Sequence, residues 1–199
     1  MSGAAIAAQK ILVFGDSLSA AYGLAQSRGW VALLEERLKR EKLDYIVVNA
    51  SISGETTSGG RARIAKLLAE QRPDVVVIEL GGNDGLRGLP VAQLKDNLAA
   101  MIDAARGAGA RVLLVGMRMP PNYGPDYTRA FDGAFAEVAR RHGAALVPFL
   151  LRGVVEREEL FQADRLHPNE AAQPILLDNV WAVLEPILRQ AKRRAKHPQ

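Results

Sequence analysis

The chain alternates short apolar runs with segments of helical period from Lys10 onward, and that alternation leaves few folds open. Ile11–Phe14 (I-L-V-F) is a continuous run of strand formers, too short for a helix and closed by Gly15. Tyr45–Asn49, Val75–Leu80, Arg111–Met117 and Ala145–Phe149 are further runs of strand length. Runs that are apolar throughout, rather than alternating, suit strands buried on both faces. Between them Trp30, Leu33, Leu34 and Leu38 recur at helical spacing, and Ser58–Glu70 turns Ile64, Leu67 and Leu68 inward. Val91–Arg106 stripes Leu94, Leu98, Met101, Ile102 and Ala105, and Thr128–Arg141 carries Phe131, Phe135 and Val138. A last helix runs from about Asn169 toward Arg189. Strand and helix in alternation predict an α/β protein with a five-stranded parallel sheet covered on both faces.

With 199 residues, 48% of them hydrophobic, the chain can bury one sizeable core. The expectation is a single domain, 1–199, with its core at about 10–188 and a basic tail at 190–199. The formal net charge of +4 is no sign of a nucleic-acid face. Lys192, Arg193, Arg194 and Lys196 lie in the tail, and removing those four from the 26 basic residues leaves 22, equal to the acidic count. Cysteine is absent, which excludes a thiolate nucleophile and zinc–cysteine sites. No apolar run approaches the roughly 20 residues of a membrane span. The opening M-S-G-A-A-I-A-A-Q reads as an ordinary or processed N-terminus, since no positive charge precedes its short apolar part.

The polar residues gather where the runs end. Gly15-Asp16-Ser17 follows the first run, Asn49–Thr56 the second, Gly81-Gly82-Asn83-Asp84 the third, and Asp164–Pro168 lies in the loop after the fifth. All four fall at the carboxyl edge of one parallel sheet, where ligands bind. Their residue types suit acyl transfer. A serine hydroxyl needs a base. Of the three histidines, His197 lies in the tail and His142 ends a helix at the opposite edge, leaving His167. Asp164, three residues earlier, can accept from its Nδ1 and leave Nε2 free for Ser17. Backbone N–H groups of Ser17 and Gly54, with the Asn83 carboxamide, can serve a developing oxyanion. Each cluster has a plain alternative: Ser17 as a helix cap, Asp164 and His167 as caps of the last helix, Asn83 as a turn residue. Asp16 and Asp84 read as structural, bonding loop backbone. Neither a metal nor a cofactor is implied. The G-x-S-x-G element of α/β-hydrolases is absent, because Ser19 stands where its second glycine would be.

G-D-S-L-S (Gly15–Ser19), S-G-E-T (Ser53–Thr56), G-G-N-D (Gly81–Asp84) and D-R-L-H-P (Asp164–Pro168) resemble the blocks of the GDSL, or SGNH, hydrolases, from about Lys10 to Leu188. V-V-N-A-S-I-S-G-E-T and I-E-L-G-G-N-D-G-L-R-G resemble, more narrowly, the bacterial thioesterase–lysophospholipase–arylesterase branch. The resemblance implies a three-layer α/β/α sandwich with strand order 2-1-3-4-5 and hydrolysis of acyl esters and thioesters. Ser17 would be the nucleophile, His167 the base and Asp164 its partner. It further implies a mobile lid, here Gly85–Pro90, and a periplasmic or exported location. Leu86, Leu89, Met117, Met119, Pro120 and Tyr123, in carboxyl-edge loops, could line an acyl groove. The expected partner is a small acyl ester or thioester acted on by a monomer, with no nucleic acid and no membrane span. Two other readings are a carbohydrate acetylesterase of the same superfamily and a flavodoxin-like nucleotide-binding module, although the chain has no P-loop and no G-x-G-x-x-G.

Overall fold

The computed structural model describes residues 9–196, and of residues 191–196 the backbone alone. The N-terminal stretch and the side chains of the basic tail lie outside the described residues. In chain order the elements are β1 (Gln9–Gly15), α1 (Trp30–Arg40), β2 (Tyr45–Asn49), α2 (Thr57–Gln71), β3 (Val75–Glu79), α3 (Gly82–Leu86), α4 (Val91–Gly107), β4 (Arg111–Val115), α5 (Pro125–His142), β5 (Ala145–Val147) and α6 (Gln173–Lys196). All strand pairs are parallel and the order is β2-β1-β3-β4-β5. Helices α1 and α6 pack together, as do α2 with α4 and α4 with α5, giving a helical layer on each side of the sheet. Among the described residues no helix is long and apolar enough to cross a membrane.

The central strands explain the unbroken apolar runs. Ile11, Leu12, Val13 and Phe14 of β1 and Val75–Ile78 of β3 are fully buried because helices cover both faces. Full burial of one such side chain is worth about 1.5–3 kcal/mol. The edge strand β2 is only half covered, and its Ile46 is exposed. Several boundaries differ from those read in the sequence. β5 stops at Val147, because Pro148 has no N–H to continue the ladder. α5 begins at Pro125 rather than Thr128, with the proline in the first turn, where its missing donor costs nothing. A short 3-10 turn, Glu170–Ala172, precedes α6, and the α6 backbone continues past Arg189 to Lys196.

Candidate active site

β1 lies inside the sheet, so its carboxyl end opens between neighbours on both sides. Beyond Gly15 the chain forms a tight turn fixed by hydrogen bonds. The Gly15 N–H donates to Ser51 Oγ (3.1 Å), the Asp16 N–H to Glu79 Oε2 (3.3 Å) and the Leu18 N–H to Asp16 Oδ1 (3.1 Å). Ser19 Oγ donates to Glu79 Oε2 (2.7 Å), and Asn49 Nδ2 to the Ser19 carbonyl (2.8 Å). A Cβ on Gly15 would stand 2.6 Å from Glu79 Oε2, so no side chain fits there. Helix α1 starts only at Trp30, with Gly29 at its N-cap. Ser17 therefore caps no helix. Its hydroxyl sits half-buried on a braced turn.

The loop that carries the histidine folds back on itself. Phe161 bridges Pro168, the Gln162 N–H donates to the His167 carbonyl (2.8 Å), and Asn169 Nδ2 donates to the Glu159 carbonyl (2.7 Å). Asn169 Oδ1 accepts from the Ala171 N–H (3.0 Å), so Asn169 rather than Asp164 caps the turn before α6. Asp164 Oδ1 accepts from the N–H groups of Leu166 and His167 (3.0 Å each), while Oδ2 lies 2.7 Å from His167 Nδ1. On the other side of the ring, His167 Nε2 is 2.9 Å from Ser17 Oγ. The Tyr22 ring lies against the imidazole, 4.5 Å between centroids and tilted by 37°. The backbone N–H and ring of His167 hold the Asp164 carboxyl down at about 2, with the Leu166 N–H assisting. An ionised carboxylate can only accept, so Nδ1 carries the proton and Nε2 presents a lone pair to the serine hydroxyl.

The donor groups fall out differently from one another. Among the described residues, neither the Ser17 nor the Gly54 N–H has an acceptor. Gly54 adopts a φ of +80°, which suits glycine, and open space lies where a Cβ would be. Asn83 is engaged already: its Nδ2 donates to Asp16 Oδ2 and to the Glu55 carbonyl, 3.0 Å each. The amide expected to stand free for an oxyanion must share one of these protons. Asp84, read as structural, accepts from the Thr57 N–H (2.8 Å) and Oγ1 (2.5 Å), pinning α2 beside the Ser53–Thr56 loop. His142 ends α5 and meets Asp103 at 2.9 Å, far from this edge of the sheet.

A cavity of about 1170 Å³ opens beside Ser17, Gly54, Asn83 and His167. Leu86, Met117, Met119 and Pro120 line it, as expected, together with Phe149, Leu151, Val155 and Phe161. Leu89 and Tyr123 do not. The Tyr127 hydroxyl donates to the Leu89 carbonyl (2.9 Å) and that of Tyr123 to the Leu86 carbonyl (3.1 Å), so both residues belong to the bracing of the 85–90 loop. Arg87 Nη2 ties the same loop to the Gly54 carbonyl at 3.0 Å.

Glu79 and the contact between Asp16 and Asn83 were not read from the sequence. A lone acid ending the apolar run V-V-V-I-E-L was the available signal for Glu79. Burial pushes its carboxyl well above the usual range, with Asp16 adding repulsion, and Oε1 has no hydrogen-bond partner among the described residues. Burial likewise lifts Asp16 to about 6. This has a measurable sign. Asp16 favours the fold fully below its unfolded value of 3.8, and that contribution disappears as pH rises through about 6. Asp164 works oppositely: its contribution is present above 3.8 and is lost as pH falls toward 2. In melts from pH 4 to 7, Asp16→Asn should lack part of the wild-type decline in Tm. Parallel curves for the two proteins would refute the buried-acid account of Asp16.

A parallel sheet of this order, with a Ser–His–Asp chain at its carboxyl edge and unpaired N–H groups beside it, defines a serine-type acyl hydrolase. Residues 13–174 match the model of the GDSL-like lipase/acylhydrolase family. The chain is 59% identical to esterase TesA of Pseudomonas aeruginosa over 182 residues, 92% of this chain and 90% of that one. It is 39% identical to thioesterase 1/protease 1/lysophospholipase L1 of Escherichia coli over 184 residues, 92% and 87% of the two chains. The crystal structure of psychrotrophic esterase EstA from Pseudoalteromonas sp., inhibited by monoethylphosphonate, superposes with a TM-score of 0.87 at 41% identity, covering 91% of this chain and 99% of that one. The protein belongs to the GDSL-like lipase/acylhydrolase family and is an esterase.

Proposed function

We propose that the enzyme hydrolyses medium- to long-chain acyl esters and thioesters, of the aryl ester, lysophospholipid and acyl-CoA types, through an acyl-enzyme on Ser17. As Ser17 Oγ attacks the acyl carbon, its proton passes to His167 Nε2 and the carbonyl oxygen takes up the negative charge. The free N–H groups of Ser17 and Gly54 would donate to that charge, and Asn83 can join them by releasing one internal bond. Collapse of the adduct breaks the bond to the alcohol or thiol, which leaves with the proton from His167. Water then gives a proton to His167, attacks the acyl carbon and releases the acid, and the proton returns to Ser17. One observation carries the reading: the 2.9 Å and 2.7 Å links of the Ser17–His167–Asp164 chain open directly into a large, mainly apolar cavity. The names of the Escherichia coli and Pseudomonas relatives support ester, thioester and lysophospholipid substrates, that of an arylesterase of Vibrio mimicus, 42% identical, supports aryl esters, and the resemblance to the thioesterase–lysophospholipase–arylesterase branch supports a periplasmic location.

The test is a substrate panel from acetyl to palmitoyl aryl esters, with acyl-CoA and lysophospholipid. The expected kcat/KM rises from acetyl to the medium and long chains. A maximum at acetyl that falls with each added carbon would favour the carbohydrate acetylesterase reading and overturn this one.

Asn83→Ala should lower kcat by about 10²–10³, the usual loss for one oxyanion donor. An unchanged kcat in a folded variant would reduce Asn83 to a brace between Asp16 and the Glu55 carbonyl.

A further inference from the structure

Ser17 and His167 meet across two loops that lie far apart in the sequence. A contact between two side chains keeps its length only if the backbones behind it are held. Among the described residues two hydrogen bonds cross between residues 16–24 and residues 158–169. One is the Ser17–His167 contact itself. The other runs from Gln162 Nε2 to the Tyr22 carbonyl, at 2.8 Å.

The remaining bonds of Gln162 show what that crossing bond is anchored to. The same Nε2 donates to the carbonyl of Pro168, which follows His167, at 3.1 Å. A carboxamide has two N–H donors, so both are spent, one on each loop. The Gln162 backbone N–H donates to the His167 carbonyl (2.8 Å), and its carbonyl accepts from the Arg165 N–H (2.9 Å). On the serine side, the Tyr22 N–H donates to the Ser17 carbonyl (3.1 Å) and closes the turn that carries the nucleophile. Gly23 leaves room for the amide: a Cβ there would stand 2.1 Å from Gln162 Oε1. Holding the Tyr22 backbone also holds its ring against the imidazole. Gln162 itself does not line the cavity, so it acts on the chemistry through its neighbours.

We propose that Gln162 is a positioning residue: its carboxamide clamps the Tyr22 carbonyl to the Pro168 carbonyl and so keeps Ser17 Oγ and His167 Nε2 within proton-transfer distance. The inference rests on the proposed roles of Ser17, His167 and Asp164. A displacement of about 1 Å at such a contact can cost about 10²-fold in rate.

The test uses Gln162→Met, which keeps the length of the side chain and removes both donors. Its kcat on an aryl ester should fall by at least ~10-fold and by up to ~10²-fold, with KM unchanged because Gln162 does not line the cavity. The rate of labelling by a phosphonate esterase probe should fall by the same factor. The proton resonance of His167 Nδ1–H should persist, since the bonds of Asp164 within the loop are untouched. Gln162→Glu is the second variant. It keeps the shape but sets carboxylate oxygen against the two carbonyls, so its labelling should be slower still. A residue that only fills space would leave Gln162→Glu like the wild type. Wild-type kcat and labelling rate in folded Gln162→Met would overturn the proposal. So would loss of the Nδ1–H resonance together with activity, which would mean that the histidine loop had collapsed rather than shifted. Failure of both variants to fold would overturn it equally, making Gln162 a residue of the fold. Ser17→Ala, run alongside, keeps the two claims apart. Absence of label on Ser17→Ala with wild-type labelling of Gln162→Met sinks this inference alone, whereas label on Ser17→Ala removes the reading beneath it.

Discussion

Ser17→Ala is expected to lower kcat by about 10⁶-fold while the protein stays folded. The figure is the loss known for removing the nucleophile of another serine hydrolase. It is large because the hydroxyl is the one atom on which the acyl-enzyme can form. With it gone, His167 Nε2 has no proton to accept from the protein. What remains is binding and the Ser17 and Gly54 N–H groups, which in comparable enzymes leave about 10³–10⁴ over the reaction in water. Stability should change little. Among the described residues Ser17 Oγ has one hydrogen-bond partner, His167, and one such bond is worth about 1 kcal/mol. The turn itself is held by Glu79, Asn49 and Ser51, none of which the substitution touches. A phosphonate esterase probe should label the wild type once and leave Ser17→Ala unlabelled. Equal labelling of the two proteins, or retention of more than about one per cent of kcat, would remove Ser17 from the nucleophile's place.

The sheet was legible because its central strands are covered on both sides. A strand with Ile11, Leu12, Val13 and Phe14 all fully buried cannot alternate, and an unbroken apolar run of that length has few other uses. The carboxyl-edge clusters were legible for a related reason: a parallel sheet sends every strand's end to one side, so Ser17, Gly54, Asn83 and His167 had to gather once the alternation was recognised. What local spacing could not show was pairing across the sheet. Glu79 reaches Asp16 and Ser19 from the neighbouring strand, and Asn83 reaches Asp16 and the Glu55 carbonyl from α3. Helix α3, five residues long, is too short to display a period, so G-G-N-D read as plain loop. Tyr123 and Leu89 were assigned to the groove by position in a carboxyl-edge loop. Which way a loop side chain points depends on its partners, and theirs are the Leu86 carbonyl and the Tyr127 hydroxyl.

Asp164→Asn separates charge from shape at the histidine. The asparagine keeps an oxygen for the Leu166 and His167 N–H groups, so the turn between Asp164 and His167 retains its two backbone bonds. It replaces Oδ2, 2.7 Å from His167 Nδ1, with either an N–H donor or a weaker acceptor. A carboxamide N–H facing Nδ1 favours the tautomer protonated at Nε2, which cannot take the serine proton. The positive charge that develops on the ring as Ser17 attacks also loses its counterion. Activity should therefore fall by at least ~10-fold and by as much as ~10⁴-fold, the latter being the loss seen for the same change in another serine hydrolase. The range reflects how far a flipped carboxamide, offering its oxygen to Nδ1, can preserve the tautomer without the charge. Tm should fall only modestly near neutral pH: the asparagine gives up what the ionised carboxylate contributes above 3.8, but it keeps the turn's backbone bonds, and Asn169, not Asp164, caps the start of the last helical segment. Asp164→Ala provides the contrast: it removes the turn's side-chain acceptor as well, so it should lose activity and Tm together. Thermal melts and kcat/KM on both variants decide the matter. Full activity in Asp164→Asn would leave Ser17 and His167 acting as a dyad, with Asp164 as no more than the residue that folds the loop.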